Sequence, residues 1–532
     1  MKSAVAASIM AALVLPNVAA NAAESDKQRI ERLERQIEEL SREVKELKDH
    51  QKEEAEAKSA VPATPASTPP AATASAAPST GAATASSTAE TALAAIRDRV
   101  QLGGYGSTRF ETNSATNENT TFTLRRLVLT ADAAIAPRLR SYLELEFERF
   151  RELELERKVI SENHGLTIKQ SVEGTNESEI ELEQAWLEYA ITEPMKLRAG
   201  AMLVPLGRFN LNHDDNRWDI ARRPLIDRGS PVLPVPAAWD EVGAGVLGEI
   251  ALGEQGSLGY QLYAMNGAIL EPEVETELEN PNEEGARELA VEAEFRTQNG
   301  TFGKDVKSAK ALAGRLVYSP RLGQELGASF YHGRYTPDTL PSEALNAFGI
   351  DGLSIWGPFE LEAEYLYADY GDVANVARGF ARKLNSEEVA IEGAELETVM
   401  EFALDSLADE KQGYWIESRY RFRPEWLKQS ILGRGFEDPV LTAVVRAEQV
   451  WFQDRLDELA FSSGQVVDVS RSDRRIDRFT IGGSYRPVPL VAFQLAYEYT
   501  HVDKGPLSEV TNYLDTSEGH ANAVLVGAAF GF

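Results

Sequence analysis

The sequence predicts an all-β transmembrane antiparallel β-barrel of about sixteen strands, preceded by a short N-terminal coiled-coil helix and a disordered linker. Three observations carry that expectation. Segments of about ten residues alternate apolar and charged side chains; "SYLELEFERF" sets Leu143, Leu145 and Phe147 against Glu144, Glu146 and Glu148. The connections between them are either very short ("SPRLG", "RPVP") or very long, and the long ones near 269–306 and 371–411 are strongly acidic. Finally, "AVLVGAAFGF" (523–532) ends the chain on a strand without charge, closing on Phe532.

Alternation alone does not separate a soluble sandwich from a barrel. In a sandwich the polar face meets bulk water; in a membrane barrel the apolar face meets lipid and the charged face lines a wet lumen. Tyr and Phe recurring near strand ends, as interfacial girdles require, favour the barrel. So do the long acidic connections and the uncharged last strand, which a soluble secreted β-protein would leave unexplained.

Composition narrows the function classes. The 532 residues carry a formal net charge of −30, so nucleic acid is not an expected partner, because phosphate neutralisation needs a basic footprint. With no cysteine, the chain cannot form disulfides, thiolate nucleophiles or cysteine-bound metal centres.

Along the chain, residues 1–22 read as a secretory signal: Lys2, then the apolar "AVAASIMAALVLP", then small residues including Ala20 and Ala22. The apolar run is shorter than the ~18 residues a membrane-spanning helix needs. Residues 23–58 read as a coiled coil, with Ile30, Leu33, Ile37, Leu40, Val44 and Leu47 forming a narrow seam. The bland alternative is one amphipathic helix packed on its own domain. Residues 59–95 are an Ala/Pro/Ser/Thr-rich linker that cannot bury a core. Residues 96–532 form the barrel. "RLVLTADAAIAP", "EIELEQAWLEYAI", "GPFELEAEYLYADY", "GYWIESRYRF" and "LVAFQLAYEYTHV" are among its strands.

"LRAGAMLVPLGRFN" (197–210), after "EQAWLEYAI" (183–191), resembles the core signature of the phosphate-selective porin O/P family. "ALAGRLVYSP" (311–320), "GPFELEAEY" (357–365), "FTIGGSYRPVP" (479–489) and the terminal Phe532 do so as well. The resemblance covers roughly residues 100–532. It implies a trimeric sixteen-stranded outer-membrane porin of a Gram-negative bacterium, with the coiled coil in the periplasm, as in some relatives. It also implies that Phe532 serves as the signal read by the barrel assembly machinery. The phosphate-type substrates do not follow directly, because the lysine ladders of those members have no comparable cluster here. By alternation Arg109, Arg198, Arg315, Arg419, Arg421, Arg446 and Arg486 face inward. So do Glu144, Glu146, Glu148, Glu360, Glu362, Glu364 and Glu498, giving a mixed lumen.

The candidate constriction is the irregular stretch 207–241. There Arg208, His213, Asp214, Asp215, Arg217, Asp219, Arg222, Arg223 and Arg228 would line an eyelet. The alternative is a surface loop with solvated or paired charges. "HDD" (213–215) is read as ion pairing rather than metal ligation, since consecutive residues rarely converge on one ion. "GAGVLG" (243–248) fits a dinucleotide-binding pattern but sits within a strand. The Glu-rich 271–296 lacks calcium-loop spacing and is read as a solvated loop that could bridge lipopolysaccharide through divalent ions. No nucleophile elbow or paired-acid pattern supports an enzyme at His213 or His501. The expectation is a non-enzymatic homotrimeric porin without cofactor or metal. It would pass small hydrophilic solutes or ions, phosphate or other anions among them. The alternative is a non-conducting outer-membrane anchor with a periplasmic coiled-coil spacer.

Overall fold

The computed structural model describes residues 99–114, 120–149, 153–162, 165–174, 179–228, 231–278, 289–387, 398–402, 407–462, 465–503 and 519–532. The expected signal, coiled coil (Ile30 to Leu47) and linker lie outside the described residues.

The strands run β1 (Val100–Asn113), β2 (Thr121–Ala136), β3 (Leu139–Glu148), β4 (Leu153–Glu162), β5 (Gly165–Gly174), β6 (Glu179–Thr192) and β7 (Met195–Leu203). Then come β8 (Asp240–Leu252), β9 (Gly256–Met265), β10 (Ile269–Leu278), β11 (Leu289–Gln298), β12 (Ala311–Arg321), β13 (Gln324–Arg334), β14 (Ala344–Trp356) and β15 (Phe359–Asp369). Helix α1 (Val373–Glu387) precedes β16 (Thr398–Phe402) and β17 (Ala408–Phe422); helix α2 (Glu425–Gln429) precedes β18 (Val440–Ser462), β19 (Gln465–Arg486), β20 (Val491–Asp503) and β21 (His520–Gly531).

Sixteen of these close a barrel. β1, β2 and β3 pair in turn, then β6 to β9, β12 to β15 and β17 to β21, each antiparallel to its neighbour. β21 pairs back onto β1, with Tyr105 opposite Gly531. The fold class expected from alternation is the one observed. The remaining strands decorate one rim: β4 and β5 form a hairpin, and β10–β11 form another. β16 pairs parallel to β11 and antiparallel to the far end of β18.

Alternation puts Leu127, Leu143, Leu187, Leu262, Leu316, Ile350, Ile416, Ile481, Leu495 and Val526 on the outer face, all exposed, as a lipid-facing band requires. Tight turns such as 322–323 and 357–358 lie at one rim, together with Phe532 and the longer connection 423–439; most long connections lie at the other. "GAGVLG" falls inside β8, as its strand reading expected.

The closing seam explains the uncharged last strand. Its outward Phe530 ring lies across Gly106 of β1, where an added Cβ would sit 2.8 Å from the ring. Apart from Leu525, its inward residues are small (Ala521, Ala523, Gly527, Ala529), and another segment packs there; a Cβ on Gly527 would lie 2.8 Å from that of Ala221.

The lumen is not uniformly wet. Val204, Leu206, Phe209, Trp218, Leu225, Ile226, Val232, Leu233 and Trp239, all from the β7–β8 connection, are buried inside. They share a core with Tyr263, Tyr331, Trp415 and Phe452 of the wall. The connection near 371–411 contributes α1, whose Val373, Ala374, Val376, Ala377 and Ala381 are buried in that core, and Phe380 meets Phe295 edge-on at 5.2 Å. Strand periodicity reports only on the wall, so this apolar filling from the connections is invisible to it.

Candidate functional site

The connection 204–239 enters the lumen and is stapled where it begins and ends. Asn210, fully buried, donates from Nδ2 to the carbonyls of Val204 (2.9 Å) and Trp239 (3.0 Å), and its Oδ1 accepts from Trp239 N–H (2.8 Å). One side chain thereby ties the two ends together and satisfies the Trp239 N–H, while the two carbonyls also accept from the Val204 (2.9 Å) and Leu206 (2.8 Å) N–H groups.

From this base the segment sends charges to the wall in sectors. Facing β1–β3, the Asp215 carboxylate accepts from Ser107 Oγ (2.5 Å) and Arg125 Nη1 (3.0 Å). Although burial raises its pKa, Arg125, Arg126 and Arg223 hold Asp215 well below the usual carboxylate range. Arg126 pairs with Glu146 (3.0 Å) and Glu148. Arg223 lies 3.5 Å from Asp227 and donates to the Ala237 carbonyl, and Arg228 lies 3.5 Å from Glu148.

Facing β6, the His213 ring is buried. Its Nδ1 lies 2.8 Å from the Asn210 carbonyl and its Nε2 3.5 Å from Glu183 Oε1. Burial lowers the imidazole pKa, but the Glu183 carboxylate outweighs it and the net shift is upward. Nearby, Glu144 accepts from Gln184 (2.6 Å).

Towards β20, Arg222 bridges Glu111 and Glu498, and Arg109 pairs with Glu111 (3.1 Å). Towards β17–β19, Asp219 accepts from Ser484 Oγ (2.6 Å) and Arg486 Nε (2.8 Å), with Arg421 at 3.2 Å. Arg419 pairs with Glu360, Glu362 and Glu417, and Arg446 with Glu417 (2.6 Å). Trp218 packs between the Arg419 and Arg446 guanidiniums, 5.3 and 5.5 Å from its ring. Towards β15, Arg208 pairs with Glu362 and Glu325, and Glu364 accepts from Phe209 N–H (2.7 Å).

Of the wall residues read from the sequence, Arg419, Arg421, Arg446, Arg486, Glu148, Glu362, Glu364 and Glu498 meet the inserted segment. Others meet partners within the wall: Glu144 with Gln184, Glu146 with Arg126, Glu360 with Arg419 and Arg421, Arg198 with Glu188 (2.6 Å) and Arg315 with Asp351 (2.5 Å). Among the loop residues, Asp214 pairs with Arg217 (2.8 Å), and Arg217 stays exposed. A narrow cleft runs beside the segment, lined by Ser107, Arg125, Asp215, Trp218, Arg222 and Gln494 among others.

Strict alternation missed Arg125, Arg126 and Glu183. The register of β1 with β2 slips between Ser107 and Thr108, which face Arg126 and Leu124, so Arg125 is a bulged residue. β3 and β6 slip likewise between Glu144 and Leu145, which face Gln184 and Leu182, leaving Glu183 bulged. Each bulge turns two adjacent polar side chains into the lumen. The signal was present in "FTLRRLVLT": apolar residues fall on even positions at Phe122 and Leu124, then on odd ones from Leu127.

Residues 96–355 match the family described as Phosphate-selective porin O and P, over part of the stretch in which the sequence motifs carry that resemblance. An uncharacterized protein of Aquifex aeolicus (strain VF5) is 26% identical over 237 residues, 44% of this chain and 44% of its own length. The match therefore spans under half of that relative. Among solved structures, the anion-selective porin from Comamonas acidovorans is similar at TM-score 0.41 and 10% identity, covering 81% of this chain and 99% of that one. The outer membrane channel DcaP of Acinetobacter baumannii gives 0.40 and 12%, covering 81% and 97%.

Proposed function

We propose that this chain, whose residues 96–355 match the phosphate-selective porin O and P family, is an outer-membrane porin through which small hydrophilic solutes diffuse. The observation that carries the reading is the segment 204–239. It enters a closed barrel and flanks a cleft lined by charges from both segment and wall. In this reading Arg208, His213, Asp214, Asp215, Arg217, Arg222, Arg223 and Arg228 form the constriction. Arg109, Glu144, Glu146, Glu148, Glu360, Glu362, Glu364, Arg419, Arg421, Arg446 and Glu498 form its wall, with Arg198 and Arg315 set apart from the eyelet.

Each loop arginine meets a carboxylate, so the field across the passage is strong while its net charge is small. That favours neutral and dipolar solutes over phosphate, which requires cations not already neutralised. The proposed assembly is a homotrimer in a Gram-negative outer membrane. Phe532 is read there by the assembly machinery, the acidic connections face lipopolysaccharide, and residues 23–58 stand in the periplasm. No covalent chemistry, cofactor or metal is invoked.

Planar-bilayer recording of the purified protein under a salt gradient tests this. Conductance arriving in steps of three, with a reversal potential near zero, is the expected result. A strongly anionic reversal potential would reinstate phosphate-type solutes. Absence of conductance would overturn the porin reading in favour of a plugged anchor with a periplasmic spacer, a reading supported by the apolar core that the segment and α1 form inside the barrel.

A further inference from the structure

One connection at the short-turn rim is built for a neighbour other than the lumen. Most turns on that rim take only a few residues, but β17 and β18 are joined by 423–439. This stretch is ordered by its own hydrogen bonds. Ser430 N–H donates to the Trp426 carbonyl (3.0 Å), Ser430 Oγ to Leu427 O (2.7 Å), Arg434 N–H to Ser430 O (2.9 Å) and Phe436 N–H to Gly433 O (3.1 Å). Leu427 is buried beneath it at 1% exposure.

Yet its upper side is apolar and open: Ile431 is 81% exposed, Trp426 60% and Leu432 57%, with Phe436 beside them. A water-facing turn has no physical reason to hold three large apolar side chains and a tryptophan outward in a fixed geometry. The segment also leans on the barrel's outer face. Tyr485, an outward residue of β19, donates its hydroxyl to the Leu432 carbonyl. The patch is therefore continuous with the exposed rim aromatics Tyr420, Phe422 and Phe493 and with Leu490. Exposed charges of both signs flank it, Lys428 and Arg434 with Glu425, Glu437 and Asp438, as at the level where acyl chains give way to zwitterionic and charged headgroups.

We infer that residues 423–439 form a wedge seated in the phospholipid interface of the leaflet at the short-turn rim, with Trp426, Ile431, Leu432 and Phe436 inserted among acyl chains and Lys428 and Arg434 at the phosphates. The inference rests on the membrane-barrel reading and goes beyond it, because it assigns a lipid-binding surface to a connection that the channel itself does not use. It favours phospholipid over a second copy of the chain because the patch is continuous with the exposed apolar band of the barrel's outer face.

The chain has no cysteine, so a single spin label can be placed at Ile431→Cys, with Leu432→Cys as a second site and Ile481→Cys in mid-band as a reference, in the full-length protein in phosphatidylethanolamine/phosphatidylglycerol vesicles. The expected result is several-fold more collision with oxygen than with a water-soluble nickel complex at positions 431 and 432. Collision with nickel there, while position 481 remains in lipid, overturns the wedge and leaves the barrel intact. Shielding from both quenchers overturns it in favour of contact with a second copy. Nickel access at position 481 overturns the membrane barrel itself.

Discussion

Two connections of this barrel, 204–239 and 423–439, depart from the turns around them, and they go opposite ways. The first runs inward, carrying alternating arginines and aspartates that find partners of opposite sign on the inner wall. The second lies against the outside, turning large apolar side chains away from the wall. Both are rich in aromatic and aliphatic residues, so hydrophobicity alone does not sort them. What sorts them is the charge between the apolar residues. Asp215, Asp219 and Arg223 are buried, and Arg222 half-buried, because each meets its counter-charge in the lumen. The six charges of the outer segment, Arg423, Glu425, Lys428, Arg434, Glu437 and Asp438, all stay exposed, and Arg423 and Asp438 pair with each other (2.8 Å) at its ends.

The largest blow to that comparison is Asp219→Ala. It leaves Arg486 and Arg421 facing each other without the carboxylate between them, a loss of about 3–5 kcal/mol for a buried pair broken from one side. Thermal unfolding in detergent should fall markedly, and single-channel conductance should rise and become noisy as the segment detaches. Little change in either would mean that the apolar core alone holds the segment.

Asn210→Ala tests the staple, with an expected loss of about 1–3 kcal/mol for the buried Trp239 N–H left without its acceptor, read from the same melt. Arg125→Ala should act on selectivity more than stability. Asp215 keeps Arg126 and Arg223, but the cleft loses a cation, so the reversal potential should move towards cation preference.

His213 gives a pH signature. Its folded pKa is raised above the unfolded value of ~6.5, so the stability it contributes is fully present below that pH. It is lost as pH rises through the raised value. The melting temperature of the parent relative to His213→Gln should therefore fall from pH 6 to pH 8; a flat difference would show that the ring is neutral throughout. The smallest effect is expected outside the lumen: Phe530→Ala removes the ring lying across Gly106 and should cost about 0.2–1 kcal/mol at the closing seam.

Much of this was legible because a strand's side-chain period is two. Glu144, Glu146, Glu360, Glu362 and Arg419 could be placed inward from their neighbours alone, and the irregular run from Arg208 to Arg228 stood out because nothing in it alternates. What escaped had distinct physical causes. Arg125 and Glu183 are set by bulges, which shift the period by one residue. The pairing of Asp219 with Arg486 joins positions 267 residues apart, a contact no local pattern encodes. The apolar filling by α1 depends on where a connection folds back, which depends on the finished barrel.

That dependence also sets a time order. β1 and β21, which zip the wall shut, lie at opposite ends of the barrel sequence, so the first strand made waits for the last. A chain shortened by its final ten residues is not a slightly smaller cylinder. It is a curled ribbon with two bare hydrogen-bonding borders, which invites pairing with other chains. Nothing assembled before β21 pairs with β1 can be a finished enclosure.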